Sequence, residues 1–115
     1  MSITNILKLA EALDLAIKGI DVEKNQEFIL SSKSPIYIYY FGKLVKHANL
    51  EKIEDALIDL QAFERLFSFA YNLEKSNKEK IFKAILQSND DYYINRFLKE
   101  IDFNKDQFKD YLPFI

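Results

Sequence analysis

The stretch from Tyr37 to Ile58, YIYYFGKLVKHANLEKIEDALI, decides the fold. Tyr37, Phe41 and Val45 stand four apart, with Ile38 and Leu44 beside them. That is the stripe of a helix with one buried face. Asn49 then offers a side-chain oxygen to an orphan backbone N–H, and Glu51 sets negative charge in the first turn of a second helix. Ile53, Ala56 and Leu57 supply the apolar set of that second helix. Ser34 before Pro35 marks the start of the first: an N-cap hydroxyl, then Pro at N1 where its missing N–H costs nothing.

Outward from this stretch the pattern recurs. Glu51-Lys52 returns at Glu79-Lys80 and at Glu23-Lys24, each at an offset of 28 (79 − 51 and 51 − 23). The same offset joins Leu13, Phe41, Phe69 and Phe97, and it joins Ile17, Val45, Leu73 and Ile101. Asp21, Asn49 and Asn77 follow it, with Asn104 continuing after a one-residue deletion; Ile29, Leu57 and Ile85 lead past that deletion to Leu112. Leu9, Leu13 and Ile17 rebuild the stripe in the first repeat, and Tyr93, Phe97 and Ile101 in the fourth. Arg65 leaves the third to Leu66, Phe69 and Leu73. Helix pairs this short cannot bury their apolar faces alone, so stacked neighbours must supply the core. The expectation is an all-α chain: one domain over 1–115, a short right-handed αα-solenoid of four helix pairs, eight helices in all, with a closed helical bundle as the alternative. Departures fall at the ends, at Asn25 in the first repeat and at the deletion and Pro113 in the last.

Composition agrees. The chain of 115 residues is 49% apolar and 30% charged, with two Gly, two Pro and no Cys. Scarce Gly and Pro count against an all-β fold, and the absence of Cys removes disulfides, thiolate metal sites and a cysteine nucleophile. Sixteen basic against eighteen acidic residues give a net charge of −2, without the basic excess of a nucleic-acid binder. Lys8, Glu11, Asp14 and Lys18 interrupt any signal-peptide core, so a cytoplasmic location is expected.

Tyr37 to Ile58 resembles short helical repeats of the form YIYxFAxxVxxANIEKLEDAII, found in arrays in uncharacterised proteins of low-GC bacteria and some large viruses. The likeness extends over Phe67 to Leu86 and fades toward both ends. Gly42 stands where that pattern has Ala, and Lys46-His47 replaces Lys-Gly. The resemblance implies a helical-repeat fold and no catalytic residues.

The side chains point to little chemistry. His47 is the only histidine, expected near a helix end in a surface role; one His and no Cys leave no zinc set. Gly19 and Gly42 stand alone, so there is no phosphate loop, and Asp90-Asp91 reads as a capped helix start. No catalytic residue, metal or cofactor is assigned. Glu51, Glu54, Asp55 and Asp59 follow i, i+3, i+4, i+8 and should form one acidic face, either a solvated surface or a docking site for a basic protein. Reversing Glu54 and Asp55 should then leave the fold intact. Tyr and Phe number seventeen, and Tyr40, Tyr71 and Tyr92 fall off the apolar stripe. Such rings are interface or inter-repeat residues, and Phe82 joins them as a contact candidate. The function expected is a non-enzymatic protein-binding module, a small inhibitor or immunity-type protein that occupies a partner enzyme such as a nuclease or toxin, as phage inhibitors of host nucleases do. The alternatives are nucleic-acid binding through Lys75, Lys78, Lys80 and Lys83, weakened by Glu74 and Glu79, and a carboxylate-based enzyme.

Overall fold

The computed structural model describes residues 2–112, and among them the fold is all-α. Seven α-helices follow one another: α1 (Ile3–Ile17), α2 (Val22–Ser31), α3 (Pro35–Leu44), α4 (Leu50–Asp59), α5 (Phe63–Asn72), α6 (Lys78–Ser88) and α7 (Asp91–Glu100). A 3₁₀ turn at Asp106–Phe108 replaces the expected eighth helix. The segment instead folds back over α6, with the rings of Phe103 and Phe108 at 4.7 and 4.9 Å from Phe82. Pro113 lies outside the described residues.

The first helices of the pairs pack on one another in order, α1 on α3, α3 on α5 and α5 on α7, and α4 packs on α6. The extents are 48 × 26 × 18 Å. Phe41, Phe69 and Phe97 are fully buried at equivalent places, as are Ile29, Leu57 and Ile85. No helix among the described residues is long and apolar enough to cross a membrane.

The first repeat departs from the register. Leu9, Ala12 and Ala16 are the buried residues of α1, whereas Leu13 is half-buried and Ile17 is 46% exposed. Matching burial pairs Leu9 with Ile38, Ala12 with Phe41 and Ala16 with Val45, an offset of 29. The extra residue is absorbed between α1 and α2, where Gly19 at φ +80° ends α1 and its neighbour Ile20 donates to the Leu15 carbonyl at 2.9 Å. The column that begins at Leu13 is therefore one residue out of register in the first repeat.

A second repeat lies in the backbone. Lys33, Gln61 and Asn89, again 28 apart, all adopt positive φ, at 57°, 53° and 57°. Each turns a second helix into the N-cap of the next first helix within two residues. Where Ser32 and Ser88 precede the turn, their hydroxyls accept from the N–H of Ser34 and Asp90, both at 3.2 Å. Leu60 has no hydroxyl, and there the Ala62 N–H reaches the Leu57 carbonyl at 3.0 Å. Ser34 keeps its N-cap place but its own side chain makes no capping bond, so Pro35 and the Ser32 hydroxyl carry that start.

Gly42 is fixed by close approach. A Cβ there would stand 2.5 Å from Cε1 of Phe69 and 3.2 Å from Cγ2 of Ile53. Gly42→Ala should therefore destabilise by about 1–3 kcal/mol through overpacking, in spite of the ~1 kcal/mol that Ala gains over Gly in a helix. The loss in urea titrations should shrink in a Phe69→Leu background. At the left-handed turns the sign reverses. Gln61→Gly removes a penalty of about 1–2 kcal/mol for a side chain at positive φ, less the chain entropy of Gly, and should raise stability by about 0.5–1 kcal/mol in thermal melts.

Candidate functional surface

The expected acidic face resolves into separate roles. Glu51 and Asp59 are exposed, Asp55 is paired, and Glu54 is buried at 3% exposure. Glu54 points into the seam between α4 and α6, where its Oε2 accepts the backbone N–H of Asn77 at 2.7 Å. Its other oxygen lies 3.5 Å from Nζ of Lys80, whose nearer partner is Asp55 at 2.7 Å. Burial works to lower the Lys80 pKa, but the Asp55 and Glu54 carboxylates outweigh it and leave the ammonium raised above its ordinary value. The expectation of one acidic face is thus corrected at Glu54, which is enclosed; Glu51, Asp55 and Asp59 stay exposed, Asp55 with its side chain 56% exposed beside Lys80.

This arrangement is one rung of a ladder. Gln26, 28 residues before Glu54, sits in the same place and pairs with Asn49 in both directions, accepting its N–H at 2.9 Å and donating to its carbonyl at 3.1 Å. Asn49 and Asn77 in turn cap α4 and α6, accepting from the N–H of Lys52 and Lys80 at 3.1 and 3.2 Å. Asp21 breaks the capping column: it adopts φ 46° and makes no side-chain cap bond. Lys52 bridges to Glu27 at 3.2 Å as Lys80 does to Asp55, each across 25 residues. In the third repeat the ladder position is Phe82, fully buried among Phe97, Phe103 and Phe108, and the link passes to Glu79, which accepts the Asn104 N–H at 3.4 Å. Phe82 is core and not surface, a second correction. Gln26 gave no signal in a chain read for charge and apolar period, although its spacing to Glu54 was visible.

The other aromatic candidates lie on the first helices. Tyr40, Tyr71 and Tyr92 are 37%, 59% and 60% exposed on α3, α5 and α7. Each leans on a neighbouring ring: Tyr40 edge-on to Tyr39 at 5.1 Å, Tyr71 stacked on Phe67 at 6.0 Å, Tyr92 edge-on to Tyr93 at 5.0 Å. Cations lie between them. Lys43 stands 5.9 Å from both Tyr39 and Tyr40, Arg65 5.7 Å from Tyr39, and Arg96 4.2 Å from the Phe67 ring. Arg96 is also bonded to Glu100 at 2.6 Å, which raises its pKa and lowers that of the carboxylate. Burial, then Glu64, raises the Tyr93 hydroxyl. Between α5 and α7 a groove of about 400 Å³ runs past Phe67, Tyr71, Asn72 and Arg96.

His47 lies exposed in the turn after α3 rather than in the helix, beside Gln26 and Lys52 in a shallow depression. Asp90 caps α7 as expected, accepting from the N–H of Tyr92 and Tyr93. Among the described residues no group of three His, Asp or Glu is placed to hold a metal ion. Compared with family models, curated proteins and solved structures, the chain matches none.

The ladder makes a stability test. Glu54→Gln keeps an acceptor for Asn77, as Gln26 does for Asn49, and should shift the urea midpoint little. Glu54→Ala removes a charged acceptor from the part-buried N–H of Asn77 and should cost about 1.5–3 kcal/mol. Glu54→Lys should cost more, about 3–5 kcal/mol, since it buries a cation against Lys80. Equal effects of Gln and Lys would show that the seam does not depend on the acceptor.

Proposed function

We propose that this chain is a non-enzymatic protein-binding module acting in the cytoplasm, and that its helix pairs form one short open solenoid. The observation that carries the binding reading is the face of Tyr40, Tyr71 and Tyr92 interleaved with Lys43, Arg65 and Arg96. Exposed Tyr and Arg on rigid helices give contact area at low entropic cost and are the residue types that dominate interface energetics. Open stacking draws support from the neighbour-to-neighbour packing and from a radius of gyration of 15.3 Å. A compact chain of this length would have about 13 Å. The action that suits so small a binder is occupation of a partner enzyme, such as a nuclease or toxin, in the manner of an inhibitor or immunity-type protein; this step is an analogy of size and charge.

With Glu54 enclosed and Asp55 paired, the docking reading moves from the second helices to the first. A partner for this face offers apolar and acidic groups, which the rings and the Lys43 and Arg65 cations complement. Nucleic acid is the second reading, because aromatic rings among cations also form platforms for single strands. Glu64 and Glu100 on the same helices oppose it, the latter bonded to Arg96.

The test is a pull-down from nuclease-treated lysate with wild-type protein and the double variant Tyr40→Ala/Tyr71→Ala. Tyr71 is 59% exposed and Tyr40 37%, so each truncation also loses a ring contact, and the comparison is made below the melting transition of the variant, where far-UV circular dichroism should match wild type. Retention of the partner should fall about thirtyfold or more, the equivalent of a hot-spot loss of about 2 kcal/mol. A protein partner retained equally by both versions would overturn the assignment of the face. Retention that vanishes with nuclease and falls steeply with salt would favour the nucleic-acid reading.

A further inference from the structure

A second groove, of about 380 Å³, opens at one edge of the stack, between the turn that follows α3 and the turn that follows α5. Its apolar lining includes Leu44, 48% exposed, and the half-buried Ala48, Leu50 and Leu73. Around these stand Lys43, Lys46 and Lys75, all exposed, against the single carboxylate of Glu74. Three cations and one anion thus gather in a chain whose net charge is −2. Among the described residues none of these four side chains is held in an ion pair.

The stack itself does not require these lysines. Helix C-termini favour cations, and Lys43 lies in the last turn of α3. The repeat shows, however, that other residue types serve at the same places. Tyr71 stands 28 residues after Lys43, Glu74 stands 28 after Lys46, and His47 stands 28 before Lys75. The apolar lining departs from the repeat in the same way. Leu50 holds the place of Lys78, whose ammonium donates to the Leu73 and Glu74 carbonyls and to the Ser76 hydroxyl, each at 3.1 Å. That brace fixes the wall of the groove that carries Glu74 and Lys75. On the opposite wall Leu50 presents an apolar side chain in its stead.

We infer that this groove takes an acidic and apolar segment of the partner protein, with Asp or Glu carboxylates among Lys43, Lys46 and Lys75 and an aliphatic side chain against Leu44 and Leu50. The inference rests on the reading of the chain as a protein-binding module and names the chemistry of one segment that it binds. Charge complementarity selects the acidic groups. The lining selects the aliphatic ones, because burying Leu44 and Leu50 is favourable only against an apolar neighbour. It also selects protein over nucleic acid: no aromatic ring lines the groove, so bases have no platform to stack on. Lys43 joins the groove to the proposed binding face, since it stands 5.9 Å from the Tyr40 ring.

The test is a titration of the full chain, followed by amide NMR, with a capped hexapeptide of four glutamates and two leucines. The signals of Gly42, Ala48 and Leu73 should shift saturably. A counterpart with four glutamines should bind about tenfold more weakly, and Lys46→Gln/Lys75→Gln should weaken the glutamate peptide about as much. Both lysines are exposed, so far-UV circular dichroism should match wild type. Lys8→Gln/Lys24→Gln makes the same charge change on α1 and α2 and should leave the affinity unaltered. Glu74→Gln removes the one opposing charge and should tighten binding about threefold, a gain that a misfolded variant could not give. The peptide reads the groove without the tyrosine rings. Loss of the partner in the Tyr40→Ala/Tyr71→Ala pull-down with no peptide response would therefore leave the binding face standing and overturn the groove. Equal responses to the glutamate and glutamine peptides would overturn it too, as would tighter binding of hexathymidylate at the same amides.

Discussion

The structure depends on a hydrogen bond between a side chain of one second helix and the backbone N–H at the start of the next. Gln26 makes it to Asn49 and Glu54 makes it to Asn77, at 2.9 and 2.7 Å. Helix starts expose N–H groups that lack intrahelical partners, and in a stack of short helices these starts lie where neighbours meet. Leaving one buried and unpaired costs about as much as a large part of a small domain's margin, some 1–3 kcal/mol against 5–15. The side-chain acceptor removes that penalty and also fixes which turn of one second helix lies beside which turn of the next. Apolar packing alone would tolerate sliding. The paired amide does not.

Much of this was legible in the sequence, because the 28-residue period is carried by residues with separate physical reasons to repeat. Phe41, Phe69 and Phe97 repeat because one buried volume repeats, and Asn49 and Asn77 because a cap repeats. The positive-φ turns at Lys33, Gln61 and Asn89 were not legible. Three different residues hold one backbone conformation there, so the constraint lies in the packing of flanking helices rather than in residue type. The slip of α1 was hidden for a related reason. Leu9, Leu13 and Ile17 satisfy a helical period on either of two adjacent faces, and only Ala12 and Ala16, too small to stand out, show which face is buried. Among the candidate surface residues, Tyr40 and Tyr71 are exposed as a ring off the apolar stripe should be. Glu54 misled because a carboxylate is read as surface by default. The same position holding Gln26 one repeat earlier shows that what the site requires is an acceptor and not a charge.

The ladder also accounts for how charge is distributed. Second helices already lend their polar groups to one another, Lys52 to Glu27 and Lys80 to Asp55 and Glu54, and little of their facing surface remains free to meet anything else. Among the described residues first helices meet one another through rings and apolar side chains, joined by the Asn72 amide donating to the Tyr39 hydroxyl at 2.9 Å and by the Arg65 and Arg96 cations over Tyr39 and Phe67. Their outward positions are released from structural duty and can change from repeat to repeat without loss of the stack. They do change: Ile36 and Tyr40 on α3 give way to Glu64 and Ser68 on α5, and to Tyr92 and Arg96 on α7.

That gradient gives the two ends of the chain different characters. At the C-terminal side the ladder gives way to aromatic packing, as Phe82 takes the place of Glu54 and is closed over by Phe103 and Phe108. An apolar residue suits that position because the neighbouring segment is a 3₁₀ turn whose one aligned amide, Asn104, is met from Glu79 a turn earlier on α6. At α1 the side chains toward the next first helix are small, Ala10 where Tyr39 and Phe67 stand elsewhere, and the apolar residues around it remain in contact with water. An exposed leucine or isoleucine on α1 thus differs from an exposed tyrosine on α5: Tyr71 rests on the Phe67 ring of its own helix at 6.0 Å, whereas Ile3 and Leu7 stand 77% and 65% exposed on a helix that carries no ring.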